Sequence, residues 1–190
     1  MKNFTQNWNQ EFIKNSEGIR DKNLCLEIGC FEGLTSNYIV ENILSENGRL
    51  ICVDPLTDVY LNDKLTELDI KNNTEWIYFK DQYSRFINNV SEHIESGKIE
   101  LIKDLSINVF DSLLDKYKES FDFIYIDGDH RPDGVYIDAI NSFKLCKSGG
   151  YILFDDYTWR DTGKGIDKFL NEVDGYEVLI KEYQILITKK

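Results

Sequence analysis

Tyr176-Glu-Val-Leu-Ile-Lys-Glu-Tyr-Gln-Ile-Leu-Ile187 is the stretch that decides the fold of this 190-residue chain. It contains two apolar runs, Tyr176–Ile180 and Tyr183–Ile187, with only Lys181 and Glu182 between them. Two residues cannot hold a crossover helix, so these runs must pair antiparallel as a hairpin. Upstream of residue 176 the pattern is the opposite. Asn23–Ile28, Arg49–Val53, Ile99–Ile102, Phe121–Ile126 and Tyr151–Phe154 are short apolar runs that read as strands. Between them lie helical stripes: Phe110, Leu113, Leu114 and Tyr117; Tyr136, Ala139, Ile140 and Phe143; Ile166, Phe169, Leu170 and Val173. Ile39, Val40, Ile43 and Leu44 mark a further helix after the first strand. Near-continuous apolar strands separated by amphipathic helices indicate a parallel sheet covered on both faces. With right-handed crossovers this becomes a doubly wound, mostly parallel α/β domain ending in an antiparallel hairpin.

Two stretches stand outside that alternation. Residues 1–22 carry Trp8, Phe12 and Ile13 and predict a helix packed on the sheet or over a site. Residues 55–98 exceed the needs of one crossover helix; they hold Trp76 and a helical stripe of Phe86, Val90, His93 and Ile94. An insertion of this kind shapes a substrate pocket or a contact between copies, which leaves a homo-oligomer open. No repeat or Pro/Gly-rich linker appears, so residues 1–190 read as one domain.

Charge and composition narrow the partners. Against 22 Lys+Arg stand 34 Asp+Glu, a formal net charge of −12, which opposes a phosphate-backbone interface and disfavours nucleic acid. No run approaches the roughly 18 apolar residues of a membrane span. The opening MKNFTQNWNQEF has no apolar core of a secretory signal, so the expected location is cytoplasmic. The four cysteines, Cys25, Cys30, Cys52 and Cys146, match no zinc spacing and read as structural thiols. Cys30 is set apart because it falls inside a glycine loop.

That loop, Glu27-Ile-Gly-Cys-Phe-Glu-Gly33, follows the first strand directly. Its glycines let the backbone turn sharply and approach a ligand without Cβ interference. The dinucleotide pattern G-x-G-x-x-G is not met, because position 31 is Phe, so a nucleoside without a pyrophosphate fits better. Asp54 closes the second strand, where an acid accepts hydrogen bonds from both ribose hydroxyls. Tyr125-Ile-Asp-Gly-Asp-His130 ends the fourth strand, and Gly149-Gly-Tyr-Ile-Leu-Phe-Asp-Asp-Tyr157 ends the fifth. Ligands of open α/β sheets bind beyond the carboxyl ends of the strands, so Asp127, Asp129, Asp155 and Asp156 should converge. Such crowding costs several kcal/mol unless it is compensated. A divalent cation would relieve it, and all-oxygen ligation suits Mg²⁺ first, then Mn²⁺ or Ca²⁺, over zinc. Two solvent-facing acidic loops are the plainer reading.

Taken in order, Glu27–Gly33, Asp54, the DGDH at 127–130, the GGYILFDDY at 149–157 and the terminal hairpin resemble class I S-adenosylmethionine-dependent methyltransferases. The nearest resemblance is to the metal-dependent sugar and small-molecule O-methyltransferases of the macrocin and cephalosporin-hydroxylase-like branch. It implies a seven-stranded sheet of order 3-2-1-4-5-7-6. It implies that Glu27, Gly29 and Gly33, with Cys30 between them, hold the amino-acid end of S-adenosylmethionine and that Asp54 holds its ribose. Asp104 and Ser106, in Lys103-Asp-Leu-Ser106, would lie near the adenine. Asp127, Asp155 and Asp156 match metal ligands, Asp127 also bordering the cofactor. Asp129 matches a general base, with His130 beside it as base or supporting residue. The partner would be a small molecule, a sugar or glycan among the candidates.

Methyl transfer from a sulfonium is an in-line displacement that needs an activated acceptor oxygen, and a divalent ion beside a base would supply it. Tyr157, Trp159 and Arg160 follow the fifth-strand acids and would either line an acceptor pocket, aromatic faces being suited to sugar rings, or serve as an ordinary loop anchor. Two other readings stay open: a nicotinamide-dependent oxidoreductase on a Rossmann-like fold, and a non-catalytic cofactor-binding module.

Overall fold

The computed structural model describes Phe4, residues 10–56 and residues 81–190. Trp8, Trp76 and most of the expected insertion lie outside the described residues. The elements run α1 (Gln10–Asn15), β1 (Lys22–Ile28), α2 (Leu34–Tyr38), β2 (Leu44–Val53), α3 (Gln82–Glu95), β3 (Ile99–Ile102), α4 (Ser106–Tyr117), β4 (Phe121–Ile126), α5 (Pro132–Leu145), β5 (Cys146–Phe154), α6 (Thr162–Glu172), β6 (Tyr176–Lys181) and β7 (Ile185–Lys189). Among the described residues these strands form one seven-stranded sheet of order β3-β2-β1-β4-β5-β7-β6. Its first five strands are parallel; β7 pairs antiparallel with both β5 and β6.

The strands are apolar throughout because both faces are covered, and their residues divide by parity. Leu26, Ile28, Ile51, Val53, Ile124, Ile126, Ile152 and Phe154 pack on one side with Phe110, Leu113, Val135, Ala139, Ile166 and Phe169 of α4, α5 and α6. Cys25, Leu50, Cys52, Phe123, Tyr125 and Leu153 pack on the other with Phe12, Ile39, Ile43, Phe86 and Val90. The alternation is the period of two expected of a pleated strand. It decides where the polar exceptions go: Glu27 and Tyr125 belong to the face covered by α1, α2 and α3.

Several boundaries differ from the sequence expectation, β5 among them, which begins at Cys146 rather than Tyr151. α2 ends in a π-helical turn, Ile39–Ile43, and Leu44 is the first residue of β2 rather than the last of the helix. The expected helix near the N-terminus is the short α1, whose Phe12 is 1 % exposed and lies edge-on to Tyr125 at 4.6 Å. The hairpin connection is Glu182–Gln184, because Tyr183 and Gln184 are drawn out of the ladder. The Tyr183 carbonyl accepts from the Tyr157 N–H at 2.8 Å, and the Gln184 side chain turns inward to Asp155. Among the described residues no helix is long and apolar enough to cross a membrane.

Candidate active site

The loops beyond the carboxyl ends of β1, β2, β4 and β5 meet at one edge of the sheet, tied by backbone bonds that continue the ladder. Gly29 N–H donates to Val53 O (2.9 Å), Asp127 N–H to Ile28 O (2.8 Å) and Asp155 N–H to Ile126 O (3.0 Å). Gly29 sits at φ 81°, and a Cβ there would lie 2.0 Å from the Asp127 carbonyl oxygen. Only glycine permits that approach, so the first glycine of the loop is explained by its contact with the β4 loop.

Asp54 fixes the rest of the glycine loop. Its Oδ2 accepts the backbone N–H groups of Cys30 (2.8 Å) and Phe31 (2.9 Å), and its Oδ1 accepts that of Leu56 (2.7 Å). Burial raises its carboxyl pKa, and these bonds act in the opposite direction. Phe31 adopts φ 45°, a left-handed conformation sparsely used by side-chain-bearing residues and common where backbone strain accompanies function. Cys30 takes part through its backbone. Its thiol is buried beside Cys52, which pushes its pKa well above the ordinary range. From the other side α3 clamps the loop: Arg85 Nε lies 2.7 Å from Glu32 Oε1, and Asn89 Nδ2 donates to the Glu32 carbonyl at 3.0 Å.

Glu27 is fully buried at the end of β1. The Ser36 hydroxyl donates to its Oε2, with the Cys52 Sγ 3.5 Å from the same oxygen, while Oε1 has no hydrogen-bond partner among the described residues. Burial therefore dominates and pushes its pKa up to about 8. A buried acceptor without a donor is costly, and a ligand ammonium or N–H would satisfy it.

The four acids expected to converge are near one another, but each has its own compensation. Asp129 is held by Arg131, whose Nε lies 3.0 Å from both carboxylate oxygens and whose backbone N–H donates to Oδ1 at 2.9 Å. Burial alone would raise its pKa; the Arg131 bonds outweigh that and lower it. Asp155 faces inward, receiving the Tyr125 hydroxyl on Oδ2, and Gln184 Nε2 (2.9 Å) and the Asp156 backbone N–H (2.8 Å) on Oδ1. Asp127 and Asp156 share His130, whose Nε2 is 2.9 Å from Asp156 Oδ2 and 3.5 Å from Asp127 Oδ1. Burial lowers the imidazole pKa, but the bonds to both carboxylates prevail and raise it to about 10. Burial and then the Asp155 charge raise Asp127 to about 7, His130 acting against them. Asp156 is lowered, its burial outweighed by bonds from His130 and Tyr183.

One ligand atom each from Asp127, His130 and Asp156 lies within 4.8 Å of the others. The expected metal set was Asp127, Asp155 and Asp156; His130 stands where Asp155 was expected, because Tyr125 and Gln184 draw Asp155 to the buried side. An imidazolium also does part of what the dication was invoked for, offsetting two adjacent carboxylates. Trp159 meets the His130 ring edge-on at 4.9 Å, and the Arg160 guanidinium stacks over Trp159 at 4.3 Å. Tyr157 instead donates to Asp167 Oδ1 at 3.0 Å.

Asp104 and Ser106 sit at the start of α4. Asp104 Oδ1 accepts from the Leu105 N–H and Asn108 Nδ2, both at 2.7 Å, and Asp104 is exposed. The Ser106 hydroxyl donates to Asp138 Oδ1 at 2.6 Å. Asp138, 1 % exposed beneath the 127–130 loop, was missed by the sequence reading, as were Tyr125, Gln184 and Arg85. The available signal was a polar group inside an apolar pattern: Asp138 next to Ala139 of its stripe, Gln184 inside the last strand run.

Comparison with known proteins agrees with this architecture. Residues 26–157 match the family described as a methyltransferase domain. An uncharacterised protein of Acanthamoeba polyphaga mimivirus is 30 % identical over 134 residues, covering 70 % of this chain and 50 % of the viral protein. The chain thus spans about half the length of the curated relative it matches. Among solved structures, the O-methyltransferase TomG of Streptomyces achromogenes, in complex with S-adenosylmethionine, superposes with a TM-score of 0.64 at 15 % identity, over 90 % of this chain and 74 % of TomG. An O-methyltransferase of Bacillus cereus in complex with S-adenosylhomocysteine gives 0.67 at 15 % identity, over 99 % and 84 %. At such identities the structural likeness carries the fold; the sequence match, which spans most of the chain from β1 to just past β5, carries the family. The chain belongs to the methyltransferase domain family.

Proposed function

We propose that this protein transfers a methyl group from S-adenosylmethionine to a hydroxyl oxygen of a small molecule, a sugar or other polyol being the acceptor class its site suits best. The observation that carries the reading is Glu27: a fully buried carboxylate with an unpartnered oxygen, beside a glycine that touches the β4 loop. A ligand ammonium would answer that oxygen, and Asp54 at the end of the adjacent β2 is our candidate for the ribose hydroxyls, through the lone pairs its three backbone bonds leave. The S-adenosylmethionine and S-adenosylhomocysteine of the two structural neighbours agree with this cradle.

S-adenosylmethionine, when bound, supplies the electrophilic methyl; the chain's own residues orient the acceptor and accept its proton. Asp129 is a poor base, because Arg131 stabilises its ionised form. His130 carries its proton until well above neutrality and so orients rather than abstracts. Asp127, raised to about 7, has the proton affinity suited to general-base work at neutral pH. We therefore assign proton acceptance to the Asp127 carboxylate and its orientation to His130. Trp159, partly exposed against His130, offers a flat apolar face for a ring-shaped acceptor.

As an alternative to the protonated His130, a divalent cation would be held by the same Asp127, His130 and Asp156 atoms, its binding displacing the imidazole proton, and it would acidify a coordinated hydroxyl. A mixed nitrogen–oxygen set favours Mn²⁺ or Zn²⁺ over Mg²⁺ and Ca²⁺. Calorimetry with S-adenosylmethionine, S-adenosylhomocysteine and NADH tests the cofactor: binding of the first two and not the third is expected. Transfer to a panel of sugars and phenols, run with and without a chelator, tests the acceptor and the ion. Loss of transfer in Asp127→Asn with cofactor affinity retained is the expected result.

A further inference from the structure

A buried chain of hydrogen bonds crosses the molecule from α1 to the site. Asn15 Nδ2 donates to Gln184 Oε1 at 3.0 Å, and Gln184 Nε2 donates to Asp155 Oδ1 at 2.9 Å. Tyr125 donates its hydroxyl to Asp155 Oδ2, and the same oxygen of Tyr125 lies 3.4 Å from Asp127 Oδ2. Asn15, Gln184, Asp155 and Tyr125 are 2 %, 0 %, 7 % and 0 % exposed. Asn15 and Gln184 both fall outside the family match of residues 26–157.

The direction of the chain is dictated chemically. Asp155 Oδ1 accepts both the Asp156 N–H and Gln184 Nε2, so Gln184 turns its NH₂ toward Asp155 and its carbonyl toward Asn15. Asn15 must then present its own NH₂. The Tyr125 hydroxyl has a single proton, and Asp155, the nearer carboxylate, takes it. Asp127, two residues on and just past the end of β4, is left with a 3.4 Å approach to a tyrosine hydroxyl whose proton is directed to Asp155.

We propose that Asn15 and Gln184 are positioning residues for the site: they hold Asp155 so that it captures the Tyr125 hydroxyl and leaves Asp127 only the longer, weaker approach to that donor. The inference rests on the methyl-transfer reading for its purpose, since Asp127 is the proton acceptor assigned there, but not for its geometry. It makes α1 and the β6–β7 turn structural parts of the site. It also accounts for a fully buried Gln in a strand run and a buried Asn on a six-residue helix.

The test is ¹⁹F NMR on protein grown with 3-fluorotyrosine, the Tyr125 signal being assigned among eleven tyrosines by its loss in Tyr125→Phe. Gln184→Met keeps the bulk and removes the donor; Gln184→Glu keeps an acceptor for Asn15 while setting a carboxylate against Asp155; Asn15→Leu cuts the chain one link earlier. Each should move the Tyr125 resonance out of its parent linewidth. Lys14→Met is the control: it removes the exposed 2.6 Å ion pair by which α1 also holds Glu182 of the same turn, and should leave the resonance in place. An unmoved resonance in Gln184→Met or Asn15→Leu, or an equal move in Lys14→Met, overturns the proposal. If the Gln184 variants do not fold, Asn15→Leu decides alone. Calorimetry of the parent with S-adenosylhomocysteine runs beside it. Failure to bind would sink the methyl-transfer reading, whereas the fluorine signal judges the chain of bonds.

Discussion

Ser36, in the first turn of α2, donates its hydroxyl to the buried carboxylate of Glu27 at the end of β1, and among the described residues only that one of the two oxygens is satisfied. The helix that follows the glycine loop thus orients the acid that precedes it. The residual strain is electrostatic: the folded chain disfavours ionised Glu27 and holds its pKa at about 8 against an ordinary 4.5.

The sign of the consequence follows. Below pH 4.5 Glu27 is protonated folded or unfolded and costs nothing; between 4.5 and 8 the unfolded chain ionises and the folded chain does not, so stability falls as pH rises. Glu27→Gln removes that slope. Thermal melts from pH 5 to 8.5 should show the variant gaining on the parent toward high pH, by at most about 1.4 kcal/mol per pH unit. Cofactor affinity should fall in the same variant. A variant less stable than the parent at pH 8 would contradict the assignment.

Binding should also move a proton. If a ligand ammonium meets Glu27 Oε1, the carboxylate is favoured in the complex, so S-adenosylhomocysteine binding at pH 7 releases a proton that free Glu27 holds. Calorimetry in buffers of different ionisation enthalpy reads the number directly. A release approaching one proton is expected in the parent and its disappearance in Glu27→Gln.

The strands and the covering helices were legible because apolar period is a local property of the chain. The glycine loop and Asp54 were legible for a related reason: sequence order places them at the ends of β1 and β2. Which way the fifth-strand acids turn was not. Asp155 and Asp156 are neighbours in sequence, yet one faces Tyr125 and Gln184 and the other His130 and Tyr183. That choice depends on partners brought in by β4 and by the β6–β7 turn, so no local pattern encodes it. The same holds for Arg131, which follows Asp129 by two residues and occupies the side chain expected to act as a base.

Gly29 provides a steric test. A Cβ at this position would meet the Asp127 carbonyl oxygen at 2.0 Å, and φ 81° disfavours any side chain. Gly29→Ala should lose about 1–3 kcal/mol to backbone strain alone, with the clash added. Because β1 and β4 loops would be forced apart, S-adenosylhomocysteine binding should be lost even at temperatures where the variant remains folded. Gly18→Ala is the control: φ is 84° there, but nothing lies within 4 Å, so it should show the strain without the loss of binding.

Arg85 and Glu32 give the last prediction, on how the cradle is held from α3. Glu32 is 1 % exposed in the glycine loop, its Oε1 lying 2.7 Å from Arg85 Nε, and Asn89 grips the Glu32 carbonyl one turn further along the helix. Arg85→Met withdraws the guanidinium from a buried carboxylate, a loss that costs about 3–5 kcal/mol when a buried charge is abandoned. Arg85→Lys should recover only part of it, since an ammonium does not reproduce the planar donor geometry. The double variant Arg85→Met with Glu32→Met should be more stable than Arg85→Met alone, because the abandoned charge is gone. Chemical denaturation of the parent, Arg85→Met, Glu32→Met and the double variant closes the cycle. Were the double variant no more stable than the single one, the Arg85–Glu32 pair would not hold the loop, and the clamp would have to be assigned to Asn89.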